Sequence, residues 1–282
     1  MTAIDIWVIK TVHIECPYQT EWDPSEYYTD IHVLDLKHQI DKHFNKPYTF
    51  HLVTNQTTIA LPDVIIHDCN DWNLWGWWNK MGLFSKELSG PGVNIYIDLD
   101  TVIQREFTSL PTFAPKDKIS MLYCYWKPID WESQAFKVSN FDPDFEFATL
   151  INSSIMVWHG DQHDYIWQQF MEDPETFTFK FRGNDEYINH FHKDAISCLP
   201  RGWAYSYFFG AEEGSEFFPK DKEQFIKRPW IHFRLLNGQG KKWRDYDDKD
   251  KEFNSSEDII RKTHEKVIKT HEKIVSRRVE YY

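Results

Sequence analysis

Asp98 and Asp100 form a D-x-D at the end of the apolar stretch Asn94–Asp100. The spacing alone says little: 25 aspartates in 282 residues give four such pairs, where chance gives roughly two. Asp142 and Asp144 bracket a proline, and Asp245/Asp247 and Asp248/Asp250 lie in a charge run. Only Asp98/Asp100 stands where a buried strand would emerge. Strand alternation would put Ile95, Ile97 and Leu99 on one face and both carboxylates on the other. Two carboxylates about 6–7 Å apart repel unless a cation lies near them. Hard oxygen ligands select Mg²⁺ or Mn²⁺, which keep positions open for phosphate oxygens. On local features, a cation site and a pair of turn or helix-capping aspartates stand level.

The elements that must position this pair alternate. Short apolar or β-branched runs read as strands at Ile4–Ile9, Thr49–Asn55, Val64–Asp68, Asn94–Asp100, Ile119–Trp126 and Ser153–His159. Helical spacing is expected over Tyr28–Phe44, Trp75–Leu88 and Asp161–Met171, with Ser89-Gly90-Pro91-Gly92 as a stop. Strands alternating with helices predict an α/β domain with a mainly parallel sheet flanked by helices. We place that domain at residues 1–245 and a charged connector with a C-terminal helix at 246–282. In the latter, KTHEKVI and KTHEKIV repeat in tandem, and Ile260, Val267 and Ile274 recur every seven residues, as in an amphipathic helix. Packing of that helix on the body is the simpler reading, and an oligomer through it is left open. His264 and His271 follow from the repetition rather than from a metal site.

Composition excludes several activities. Lys plus Arg is 32 against 44 acids, a net charge of −12, which opposes phosphate-backbone or anionic-lipid binding as the default. No run approaches a membrane-spanning length, and the N-terminus does not read as a signal peptide. The four cysteines form no CxxC pair, so a reduced, cytoplasmic compartment is expected. Sequons occur at Asn55, Asn152 and Asn254 and matter only in a secreted chain. Neither G-x-x-x-x-G-K-[ST] nor a G-x-G-x-x-G after the first strand is present, which sets aside ATP-driven and NAD-dependent chemistry.

Five segments in order carry a resemblance. These are GWWNKMGLFS (76–85), NIYIDLDTVI (94–103), INSSIMVW with GNDEYIN (151–158 and 183–189), and WIHFRLLNGQGKKW (230–243). Together they are similar to the GT-A glycosyltransferases, in particular the family 8-like group of glycogenin-type and bacterial or phage hexosyltransferases. The resemblance spans roughly residues 4–243. It implies a GT-A fold, a nucleotide-sugar donor (UDP-sugar favoured), Mn²⁺ or Mg²⁺, and a carbohydrate or glycoconjugate acceptor. By the same resemblance Asp98, Asp100 and His232 match the metal ligands. Lys241 matches the lysine on the donor diphosphate, and Lys80, Asn152 and Ser153 match donor contacts. Asp185 matches the aspartate on the sugar hydroxyls. Lys10, Thr11 and Thr54 border the base by position only. Glu186 stands where the family carries a neutral amide, Ser154 where it has glycine and Lys242 where it has proline. A carboxylate at 186 could act as a nucleophile; the simpler reading gives it a salt bridge or hydrogen bond.

Retention of configuration follows from the resemblance as an expectation. A sugar-nucleotide nucleotidyltransferase and a non-catalytic sugar-binding protein are the rivals. The first normally needs a Gly-rich basic loop, where this chain reads Lys10-Thr11-Val12-His13. The aromatics suggest the second. Trp72, Trp75, Trp77 and Trp78 read first as core, because each ring buries so much area. Trp126 and Trp131 are the better candidates for stacking on an acceptor.

Overall fold

The structure is a computed structural model, and it describes residues 3–11, 28–56, 61–124, 147, 149–200, 203–206 and 233–235. Its centre is a seven-stranded sheet. The strands are β1 (Ile4–Lys10), β2 (Thr49–Thr54), β3 (Ile65–Asp68), β4 (Val93–Ile97), β6 (Ile119–Tyr123), β7 (Ile151–His159) and β8 (Ile196–Cys198), in the order β3-β2-β1-β4-β7-β6-β8. The β3, β2, β1, β4 half is parallel; β7 runs antiparallel to β4 and β6, and β8 parallel to β6. A second, three-stranded sheet joins β5 (Thr101–Ile103), β10 (Phe233–Leu235) and β9 (Ala204–Ser206).

Both faces of the sheet are covered. Ile6 and Val8 of β1 with Leu52, Ile95 and Ile97 meet Val33, Leu36 and Ile40 of α1 (Asp30–His43). Trp7 and Ile9 point the other way with Val53, Tyr96, Met156 and Trp158, against Trp78, Phe170 and Tyr187. Such two-sided burial is why the strands read as continuous apolar runs. α2 (Asp164–Glu172), α3 (Pro174–Lys180) and α4 (Asn184–Phe191) supply this second layer. Trp78 is wholly buried and stacks on Phe170 at 5.4 Å, so it is core as expected. No helix among the described residues is long and apolar enough to cross a membrane.

Two local expectations are corrected. The stretch expected to be helical over Trp75–Leu88 is a shorter 3-10 helix over Gly76–Phe84. It packs beneath Trp72 so closely that a Cβ on Gly82 would lie 2.3 Å from that indole. The strand expected to run through Asp100 ends at Ile97, and a turn closed by Thr101 N–H on Asp98 O (3.1 Å) carries both aspartates. They therefore do not share a strand face.

Two predictions follow from the packing. Gly92 immediately precedes β4, and a Cβ there would lie 2.3 Å from the Ala3 carbonyl oxygen, a backbone atom that cannot rotate away. Gly92→Ala should lower stability by about 1–3 kcal/mol in denaturant unfolding. His192 is buried beside His163, and burial first, then that neighbour, lowers its pKa to about 4 from 6.5. Between those values the unfolded chain binds a proton that the folded chain refuses, so this group removes stability as pH falls from 6.5 to 4. Asp35, raised by burial to about 6, acts in the opposite sense. The comparison is therefore between parent and His192→Gln, whose stability should fall less steeply over that window, by up to about 3 kcal/mol.

Candidate active site

The turn after β4 sits at the carboxyl end of the parallel strands, where open α/β sheets bind ligands. Trp7 pairs with Tyr96, so the last residues of β1 reach the same end as Asp98. Lys10 lies directly beside Thr54 of β2. Both are buried, as is Thr11. Lys10 has a partner that the sequence did not suggest: its ammonium is ion-paired with Asp30, the first residue of α1. Thr54 Oγ1 accepts the Gln56 backbone N–H at 3.1 Å.

Across the sheet, the start of β7 meets the end of β4. The Asp98 N–H donates to Ser154 O at 2.9 Å, which fixes the turn against Asn152–Ser154. Lys80, buried on the 3-10 helix, places its ammonium 2.8 Å from Asp98 Oδ1 and 3.0 Å from Oδ2. The same Nζ lies 3.3 Å from Ser153 Oγ, which donates to Asn184 Oδ1 at 3.0 Å. Tyr96 OH donates to Asp98 in a short bond, and the Lys80 ammonium stands 5.1 Å over the Tyr96 ring. One hydrogen-bonded line thus runs from Asp98 through Lys80 and Ser153 to Asn184 in the first turn of α4. Asn152 turns inward locally, its Oδ1 accepting the Ser154 N–H at 3.0 Å.

Asp185 and Glu186 follow in that first turn. The Glu186 carboxylate reaches back to accept the Arg182 N–H at 2.8 Å, a helix-start contact of the capping-box kind. Asp185 lies near the Trp77 indole: a Cβ on Gly183 would fall 2.6 Å from Asp185 Oδ1 and 3.8 Å from Trp77 Nε1.

Asp100 is the unsettled group. Its Oδ1 is buried and has no hydrogen-bond donor. Burial first, then the Asp98 charge, raises its pKa to about 7, while Lys80 and the Tyr28 hydroxyl pull the other way. An orphaned carboxylate oxygen beside a second carboxylate, held by a single lysine, is a donor set that fits a hard divalent cation. Among the described residues no group of three or more His, Cys, Asp or Glu is arranged to hold a metal. His232 and Lys241 lie outside the described residues, as do Trp126, Trp131 and the 246–282 segment. The surface groove lined by Lys86, Asp161, Gln162 and Tyr165 lies beyond the far end of β7 and contains none of the expected site residues.

The sequence reading missed Asn184, Tyr96 and Asp30. Asn184 adjoins the matched Asp185 and was visible only as part of GNDEYIN. Asp30 acts through a contact with Lys10 twenty residues away, and Tyr96 read only as one more apolar residue of its strand.

Breaking the Lys80–Asp98 pair leaves a carboxylate without its counter-ion. Lys80→Met should cost about 2–4 kcal/mol in thermal or denaturant unfolding. Adding Asp98→Asn should recover part of that loss, and purely additive costs would show that the pair is not coupled.

No protein-family model matches the chain, and no curated protein matches it in sequence. Solved structures do. The galactosyltransferase LgtC, in complex with donor and acceptor sugar analogues, is 11% identical with a TM-score of 0.52, over 82% of this chain and 86% of that one. The glycosyltransferase GlyE of Streptococcus pneumoniae TIGR4 is 13% identical with a TM-score of 0.53, over 87% of this chain and 57% of GlyE. The bifunctional WbbM is 13% identical with a TM-score of 0.50, over 84% of this chain and 46% of WbbM. The mixed, mostly parallel seven-stranded sheet with its flanking helices matches these neighbours, and the chain has the fold of the GT-A glycosyltransferases.

Proposed function

We propose that this protein is a metal-dependent glycosyltransferase that moves a hexosyl unit from a nucleotide sugar, UDP-sugar favoured, to a carbohydrate or glycoconjugate acceptor with retention of configuration. The observation that carries the reading is the Asp98 carboxylate, held by Lys80 beside the unpartnered Asp100 oxygen, at the carboxyl end of the parallel strands. It gains support from the fold shared with LgtC, whose structure holds donor and acceptor sugar analogues.

Glycosyl transfer breaks the bond from the anomeric carbon to a phosphate oxygen, and charge builds on the departing diphosphate. Asp98 and Asp100 would hold Mn²⁺ or Mg²⁺, with His232 and the diphosphate lysine Lys241 supplied by the resemblance. When bound, such a cation offsets the charge on the diphosphate oxygens. Lys80 is ion-paired with Asp98 and orients it, and shares Ser153 Oγ with Asn184, so polar groups converge where donor hydroxyls would lie. Asp185, at the start of α4, accepts from the sugar. Glu186 accepts the Arg182 N–H, which supports a structural role for it and, under retention, attack from the leaving-group face.

The test is UDP release from UDP-hexoses with Mn²⁺. Asp100→Asn should lose at least about a hundred-fold in metal-dependent release with its melting temperature retained. Pyrophosphate release from a nucleoside triphosphate, or sugar binding without turnover, would overturn the reading. A second test separates the roles in α4. Asp185→Asn should cost far more in turnover than in UDP affinity. Glu186→Gln, which can still accept from Arg182, should keep near-parent turnover; a loss of several orders of magnitude would make Glu186 the nucleophile.

A further inference from the structure

On the parallel half of the sheet, away from the aspartate turn, three polar side chains cross β1, β2 and β3. His51 Nε2 lies 3.2 Å from Asp5 Oδ1, and His51 Nδ1 lies 2.9 Å from His67 Nε2. The Trp7 ring stacks on His51 at 4.1 Å and 18° and leans on His67 at 5.1 Å. Trp7 is itself pinned by its indole N–H on Asn94 Oδ1 at 3.0 Å. His51 is buried, whereas His67 is half-buried on edge strand β3.

The Asp5 contact decides the tautomer. A carboxylate accepts only, so His51 carries its proton on Nε2 and presents the Nδ1 lone pair toward His67. Imidazoles that bind a metal through one nitrogen commonly donate the other N–H to a carboxylate, which fixes the ring and raises its basicity. Asp5 and His51 already make that arrangement. Two nitrogens 2.9 Å apart, each about 2.05 Å from a shared ion, subtend about 90° at it, and opening the pair by a few tenths of an ångström reaches the tetrahedral angle.

We propose that His51 and His67 form a second cation site, for Zn²⁺ or a similar imidazole-preferring divalent ion, with Asp5 as the outer carboxylate. Binding moves the proton of neutral His67 from Nε2 to Nδ1, so both facing nitrogens become ligands, and solvent completes the coordination at the half-buried edge. The ion would tie β3 to β2, while the hydrogen bond from Asp5 extends the brace to β1. Nitrogen ligands set it apart from the oxygen pair at Asp98 and Asp100, and the inference does not rest on glycosyl transfer.

The experiment is zinc titration of the full chain by calorimetry, checked by equilibrium dialysis with metal analysis. His51→Gln and His67→Gln should each lose one Zn²⁺ per chain relative to the parent. Asp5→Asn should keep the stoichiometry and weaken that site about 10–100-fold. Asp100→Asn should leave it intact. Cobalt in place of zinc should give a visible absorption that His67→Gln abolishes. Circular dichroism confirms folding, and if His51→Gln does not fold, the edge variant His67→Gln decides. Unchanged zinc stoichiometry in folded His67→Gln, or loss of the same zinc in Asp100→Asn, overturns the proposal.

Discussion

The ion pair between Lys80 and Asp98 is the contact on which the organisation of this end of the molecule depends. Two carboxylates two residues apart are brought to a largely buried turn, and burial raises the cost of every uncompensated charge there. The ammonium at 2.8 Å answers Asp98 and leaves Asp100 Oδ1 without a donor. The same ammonium touches Ser153, and Ser153 touches Asn184, so a single buried cation links the 3-10 helix, β4, β7 and α4. A site built in this way holds its shape through charge and hydrogen bonds, and the Asp100 oxygen left without a donor is the feature on which the proposed cation site rests.

The topology explains why these four elements meet. β4 is central and parallel to β1, so its carboxyl end opens beside Lys10 and Thr54. β7 then enters antiparallel, which brings the first residues of one strand against the last residues of the other: Ile97 pairs with Ile155, and Asp98 bonds to Ser154 O. This reversal in the sheet brings strand residues running in both directions beside the first turn of α4. The Tyr96 ring under the Lys80 ammonium belongs to the same buried cluster as Trp78, Phe170 and Tyr187.

Much of this was legible in the sequence, for identifiable reasons. The strands buried on both faces stand out as apolar runs, so β1, β2 and β7 were found within two residues of their limits, while β4 and β6 were each carried three residues too far. Asp98 and Asp100 were legible because they end such a run, although alternation was extended too far and missed the turn. Strands β5, β9 and β10 are three residues each and pair across long separations, so no local pattern marks them. Trp72 presses against Gly82 within the 3-10 helix, a contact that helical spacing does not encode. Asp30 reaches Lys10 from the far side of an unmarked segment, and the Asp5–His51–His67 line needs three strands in register before it exists.

The central claim is that Asp98 and Asp100 form the cation-dependent end of a nucleotide-sugar site. The most direct measurement is a crystal structure of the chain grown with UDP and Mn²⁺, with anomalous data collected at the manganese edge. The account predicts one anomalous peak within coordination distance of both carboxylates, bridging to ordered diphosphate oxygens. Ordered UDP elsewhere on the chain, with no peak at Asp98 and Asp100, would contradict it.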